Sequence, residues 1–468
     1  MTPEDVRAAA QRLTQFHHRF APLFGKEEAQ NHAYVYITGL MTCPERKSVE
    51  PIALLVGEGR VSALQKFLNI APWDHDAIQI EVQEVFAEQL APSAAASAVG
   101  TVGVVDESGF AKKGDHSAGV DRQYNGRLGK EDNCQVGVFL IAVAPGGVAL
   151  LDHQLYLPES WCQDNPAGRQ RRAKTHIPET IPFQTKPEIA GAMVRRTEGV
   201  GQVQLDWITA DETYGRNGDF LDELEALGKR YVVEVPVNTT VFTKDPAEYI
   251  PPYTGKGRVP TRPSRDSVRS VKEVAAGLEA GAWRTLSVGQ GAKGPLVFEF
   301  AAVRVWAVRH GEAGGPMWLW IRRSLEENPE IKYYLSNGAE TTPLEVLAQV
   351  ACTRHKVEEF LEDSKTYLGM AQYETRSWIG WHHHMSLVAM AHLFITLARR
   401  DLQKKTPELT LDRVVRLLLS AIGLPKLSVE TAIRLVDYHI NRNRIARNSH
   451  MKSWMLKHAG RVEKFVPL

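Results

Sequence analysis

Two short apolar runs, each closed by an aspartate, constrain this chain more than anything else in it. Thr101-Val102-Gly103-Val104-Val105 ends on Asp106, and Val203-Gln204-Leu205-Asp206-Trp207-Ile208-Thr209-Ala210 ends on Asp211. Runs of this length and composition read as strands. Strands alternating with helical segments call for a layered α/β fold, in which active groups gather at strand ends. A third segment, from Arg354 to Lys365, reads as a helix. At 100° per residue Arg354, Glu358 and Lys365 fall within about 40° of one another and share one face. Two strand-end aspartates and a helix glutamate form the oxygen-donor set that hard divalent cations prefer, and two such ions can stabilise both oxygens that exchange at a phosphodiester. The chain has 55 acidic residues, so each segment taken alone also has a plain structural reading. A strand-end aspartate can be a turn residue, and Arg354 with Glu358 can be an ordinary i,i+4 surface pair.

At 468 residues the chain exceeds what one growing core supports, so two or three domains are expected. Hydrophobic residues at 43% and charged residues at 24% describe a soluble globular protein, and a net charge of +1 advertises no polyanion partner for the molecule as a whole. The charge is distributed less evenly than its sum. Arg442, Arg444, Arg447, Lys452, Lys457, Arg461 and Lys464 face only Glu463 near the end of the chain. Lys256, Arg258, Arg262, Arg265, Arg269 and Lys272 face only Asp266. Such stripes are the footprint of phosphate contact or a solvated surface. Cys43, Cys134, Cys162 and Cys352 form no CxxC pair, which argues against a structural zinc site and a disulfide scaffold and suits a reducing cytoplasm. The absence of a signal segment or a long uninterrupted apolar run argues against a membrane role.

Residues 1–95 read as helical, with pieces at 26–41, 51–69 and 75–91, a bundle that suits a DNA-binding head or a structural cap. Residues 96–245 alternate: strands at 101–106, 134–144 and 147–151, a helix at 185–198, a strand at 203–209, a helix at 217–228 and a strand at 231–236. Residues 246–340 are poor in helix apart from 267–278. With strand-like runs at 283–288, 296–310 and 317–322, they read as a β-rich insertion in the larger fold, preceded by a proline-stiffened basic loop. Residues 341–400 return to helix, and 401–468 form a helical, basic C-terminal region with helices at 411–421 and 428–440. Lys112 and Lys113 follow Asp106-Glu107-Ser108-Gly109 where they could approach a phosphate, although the P-loop pattern is absent. His382-His383-His384 cannot present three ligands on one side of a helix, because consecutive residues point about 100° apart. Neither a GxSxG elbow nor a helix-opening GxGxxG is present.

Taken together, residues 104–114, 132–139, 209–215 and 354–376 resemble the transposases of bacterial insertion sequences in the DDE superfamily. The resemblance spans most of the chain from Val102 onwards. It implies an α/β fold with an RNase H-like, integrase-like catalytic core, split into 96–245 and 341–400 by the β-rich insertion domain at 246–340. It places the catalytic aspartates at Asp106 and Asp211 and the catalytic glutamate at Glu358. One subgroup carries a Tyr-Arg-Glu-Lys signature whose last three members are spaced as Arg354, Glu358 and Lys365 are here. Its tyrosine falls at 351, where this chain has Ala351, which puts one auxiliary DNA contact in doubt and no metal ligand.

The activity the resemblance implies is cleavage of transposon ends and their joining to target DNA, with two Mg²⁺ ions held by Asp106, Asp211 and Glu358 and Mn²⁺ able to substitute. Its partners would be double-stranded DNA, both terminal inverted repeats and target, and a second copy of the chain on paired ends, in the nucleoid of a bacterial cytoplasm. DNA contacts are expected from Arg354, Lys365, Lys112, Lys113, Arg216, Lys256, Arg258, Arg262 and Arg265, with Trp207 and Tyr214 as candidates for stacking on a distorted base. A stand-alone or host-recruited nuclease, and a DNA-binding protein that no longer uses the site, are the competing readings. Retention of all three carboxylates favours an active enzyme.

Overall fold

Val102, Val104 and Val105 are all buried on one strand, on both of its faces, which requires a central place in a covered sheet. That strand, β1 (Val102–Ala111), pairs antiparallel with β3 (Lys130–Ala144) and parallel with β5 (Trp207–Ala210). On its other side β3 carries β4 (Gly147–Leu155), and its first residues also pair with β2 (Asp121–Asn125). β5 pairs parallel with β6 (Arg230–Val235). The order β4-β3-β1-β5-β6 is the RNase H-like core.

The sheet does not stop there. β12 (Ile331–Ser336) lies antiparallel to β6 and leads through β11 (Glu312–Arg323) to β10 (Gly294–Arg309). β10 pairs with both β9 (Arg284–Gly291) and β7 (Thr240–Phe242), and β7 pairs with β8 (Val268–Ser270). The β-rich stretch is therefore hydrogen-bonded onto the edge of the core sheet. The computed structural model describes residues 1–57, 59–126, 129–261, 263–264, 268–291, 294–423 and 429–457.

The two parallel connections need crossovers, supplied by the helices Lys186–Val200 and Gly218–Ala226. Thr185 and Glu188 cap the first reciprocally, and Gly201, at φ +74°, ends it in a left-handed conformation that costs a glycine little. On the opposite face lie the helices Leu344–Thr353 and His355–Tyr367. The helix Trp378–Gln403 is buried on nearly every side between β4 and the N-terminal helices Glu27–Thr42, Val61–Asn69 and His75–Gln89. Gln79 and Gln83 donate from the last of these to the carbonyls of Leu150 and Leu151 on β4, covering that exposed edge. One hydrophobic core runs from Ala9 through the sheet to Leu418, so the N-terminal helices are part of the same body as the sheet. Among the described residues no helix is long and apolar enough to cross a membrane.

Several element boundaries differ from the sequence expectation. β1 runs on to Ala111 instead of stopping at Asp106, because β3 offers it a continuous partner through Cys134. Residues 203–206 lie outside the strand, which starts at Trp207. The helical stretch 341–400 is broken at Arg354 and between Tyr367 and Trp378.

Candidate active site

The ladder between β1 and β5 ends at the pair Val105 and Ala210. β1 continues and β5 does not, so a notch opens in the sheet at the next residue of each strand. Those residues are Asp106 and Asp211. Asp211 turns the chain out of β5 by capping a one-turn helix, Glu212–Gly215; its Oδ1 accepts the Thr213 N–H at 2.8 Å. Gly215 closes this turn against β6 so tightly that an added Cβ would fall 1.9 Å from the Glu234 carbonyl oxygen.

The notch opens into a cavity of about 1070 Å³ lined by Asp106, Glu107, Asp211, Glu212, Glu234 and Glu358 together with Arg354, Lys332 and Lys365. Val357, Phe360 and Leu361 bury one side of the helix His355–Tyr367 and so hold its polar face over the notch. Arg354 sits at the centre. Its Nη2 lies 2.5 Å from Glu358, its Nε 3.5 Å from Glu234 and its Nη1 3.8 Å from Asp106. Lys332, on β12, lies 3.0 Å from the other oxygen of Glu234. Lys365 donates to Ser108 Oγ, two residues along β1 from Asp106.

The site carries more negative charge than its cations balance. Burial, then Asp211 and Glu107, push the Asp106 carboxyl up to about 8, against the pull of Arg354. Burial and Glu107 also raise Asp211. Burial works against the Arg354 guanidinium, but Glu358, Asp106 and Glu234 outweigh it and hold the charge firmly in place. Carboxylate oxygens crowded at one point are the donor chemistry of a hard divalent cation, which would relieve this repulsion. Asp106 and Asp211 fit that demand. Glu358 is 56% exposed and turned onto Arg354, and among the described residues no three acidic, histidine or cysteine side chains converge as they stand.

Of the residues singled out from the sequence, Asp106, Asp211, Arg354, Glu358 and Lys365 meet at this cavity. Tyr214 lies beneath it with its ring fully buried and its hydroxyl donating to Glu107 Oε2 at 2.7 Å, so the ring is closed to a base. Trp207 is at the far end of β5, fully buried, with the Arg230 guanidinium 4.4 Å from its ring centroid. The Lys112 ammonium lies 3.4 Å from the ring centroid of Tyr373, and burial lowers it to about 7. Lys113, Arg216, Lys256 and Arg258 are exposed and lie outside the cavity lining. Arg262 and Arg265 lie outside the described residues. Ala351 is a buried residue of the helix Leu344–Thr353.

The sequence reading missed Glu107 and Glu234. The signal for Glu234 is present in the chain, as a single acid in the buried run Tyr231-Val232-Val233-Glu234-Val235.

The family model of the DDE superfamily endonucleases matches residues 19–295, more than half of the chain and including both aspartates of the notch. The chain is also 29% identical over 208 residues to a probable transposase for insertion sequence element IS701 from Microchaete diplosiphon, a match that takes in 44% of this chain and 49% of that protein. It thus spans about half the length of this curated relative. The chain belongs to the DDE superfamily endonucleases.

Proposed function

We propose that this DDE superfamily protein is a DNA transposase, which cleaves the ends of a mobile element and joins them to target DNA by phosphoryl transfer. The observation that carries the reading is the notch itself. Asp106 and Asp211, where the pairing of neighbouring strands ends, are brought together in a half-buried place where burial and Glu107 raise both carboxyls and Asp211 raises Asp106 further, at the mouth of a cavity large enough for a DNA backbone. Perturbed carboxylates in a cleft mark a functional site more often than a structural one.

Asp106 and Asp211 would hold divalent cations, with Glu358 completing the set once it leaves Arg354. Bound Mg²⁺, or Mn²⁺ in its place, supplies the Lewis acidity that activates an attacking oxygen and stabilises a leaving one. The chain's own groups do the rest. Arg354 and Lys365, the cations on the helix face above the notch, bind backbone phosphates and orient the scissile bond. Lys113, Arg216, Lys256 and Arg258 are exposed and can extend the phosphate track, a sequence-independent contribution that falls with salt. A pair of protomers on paired ends would carry the joining step.

The test is incubation with Mg²⁺ and candidate end DNA, taken from inverted repeats flanking the gene, with products resolved on a sequencing gel. The reading expects cut ends and joined products. Cutting without joining would mark a stand-alone nuclease. Binding without cutting would mark a DNA-binding derivative.

A further inference from the structure

We propose that Tyr214 and Glu107 form a positioning clamp that fixes the Asp211 turn to β1 across the notch; the inference rests on the reading that Asp106 and Asp211 hold a divalent cation.

The last ladder pair between β1 and β5 is Val105 and Ala210, so the strand pairing stops at the two aspartates and does not extend over the turn that follows Asp211. Tyr214 is three residues past Asp211, on the same one-turn helix. Its hydroxyl donates to Glu107 Oε2 at 2.7 Å, bridging from that turn to the residue beside Asp106. The other oxygen of Glu107 accepts from Lys186 Nζ at 2.7 Å, at the start of the helix Lys186–Val200. Glu107 is thus fixed from two elements while its side chain stays 22% exposed at the cavity. On the other side of the turn, Gly215 presses against the Glu234 carbonyl. The Asp211 turn is gripped between β1 and β6.

Packing alone does not account for the tyrosine. Its ring is fully buried and lies 5.7 Å, centroid to centroid, from that of Phe220, a contact a phenylalanine would make equally well. What the hydroxyl adds is a bond to a carboxylate, which is stronger than a bond between neutral groups. Groups that orient the ligands of a metal without touching it commonly change metal affinity or activity about 10- to 100-fold when they are lost. Neither Tyr214 nor Glu107 needs to touch the reacting atoms. They are positioning residues.

The test is Mn²⁺ titration of the full-length protein followed by electron paramagnetic resonance, without DNA, for wild type, Tyr214→Phe, Glu107→Ala, the double variant and Asp106→Asn. The clamp predicts that Tyr214→Phe weakens Mn²⁺ binding about tenfold or more, with the melting midpoint near that of wild type. It also predicts that the same change does nothing further in the Glu107→Ala background, because the two residues act as one unit. Wild-type Mn²⁺ affinity in Tyr214→Phe, or additive losses in the double variant, would overturn the clamp while leaving the metal reading intact. Asp106→Asn binding Mn²⁺ as tightly as wild type would overturn the metal reading and the clamp with it.

Discussion

His382, His383 and His384, buried on the long helix, and Asp106 and Asp211, half-buried at the notch, are both clusters of titratable side chains drawn away from water, and the protein treats them in opposite ways. Each histidine finds a partner of its own. His382 Nδ1 meets the Trp378 carbonyl at 3.0 Å, the two ring nitrogens of His383 lie 2.9 and 3.0 Å from the carbonyls of Leu68 and Trp73, the neutral ring donating to one of them, and His384 Nδ1 meets the Tyr36 hydroxyl at 2.9 Å. Burial drives His383 down to about 4 and His384 to about 3, so all are neutral and their polar atoms serve as bolts between the N-terminal helices and the core. The aspartates each accept a backbone N–H, from Glu107 and from Thr213, but their charge is left unbalanced. Burial and the Glu107 charge push both up, Asp211 adds to the push on Asp106, and Arg354, shared with Glu358 and Glu234, only partly offsets this. Buried polar groups that are satisfied hold a fold together; buried charges left unbalanced await something else.

The sharpest way to break this contrast is to remove a charge from one cluster and a ring from the other. Asp106→Asn, Asp211→Asn or Glu358→Gln should each abolish Mg²⁺-dependent cleavage while leaving the protein folded and end-DNA binding close to wild type, since each keeps nearly the same volume. Normal cleavage by any one of them removes that residue from the site. His384→Ala should do the reverse. It leaves a cavity and an unpaired Tyr36 hydroxyl, and should lower stability by about 3 kcal/mol while cleavage per folded molecule is kept. A His384→Ala protein that melts like wild type but has lost cleavage would invert the comparison. A smaller effect belongs to Lys365, which joins the notch through Ser108. Lys365→Ala should slow single-turnover cleavage about tenfold with little change in melting, and Lys365→Arg should recover part of the loss, because a planar fork replaces a compact charge. Equal rates for Lys365→Ala and wild type would return this lysine to an ordinary surface role.

The contrast is half legible in the chain. Apolar runs ending on Asp106 and Asp211 announce buried strands, and the angular alignment of Arg354, Glu358 and Lys365 announces a shared face; all five meet at one cavity. What pattern does not supply is where each strand's neighbour stops. Asp106 reads as a strand end and is mid-strand; it reaches the cavity because β5 ends one row earlier. The same lack of partner information makes Tyr214 and Trp207 look open to stacking, although one is pinned under the notch by Glu107 and the other lies at the opposite end of β5. Lys112 reads as a free cation beside Lys113, but its ammonium has turned back onto Tyr373, a contact 261 residues away in the chain. Glu234 depends on β12 arriving with Lys332, a pairing between distant segments that no local pattern carries.

The most direct test of the unbalanced pair is the melting temperature of wild type and Asp106→Asn across pH, with and without Mg²⁺. The folded-state pKa of Asp106, about 8, stands above its ordinary 3.8. Uptake of this proton therefore favours the folded protein, a contribution fully present below the ordinary value and lost as pH climbs through about 8. The neutral amide that Asp106→Asn introduces would imitate the protonated carboxyl at every pH. Without metal, the account predicts that Asp106→Asn and wild type melt together near pH 4, and that Asp106→Asn melts increasingly higher as pH rises to 8 and beyond. Mg²⁺ at the upper end should then raise wild type and leave Asp106→Asn nearly unmoved. An Asp106→Asn protein that melts below wild type at that pH without metal, or an equal Mg²⁺ shift in both, would contradict it.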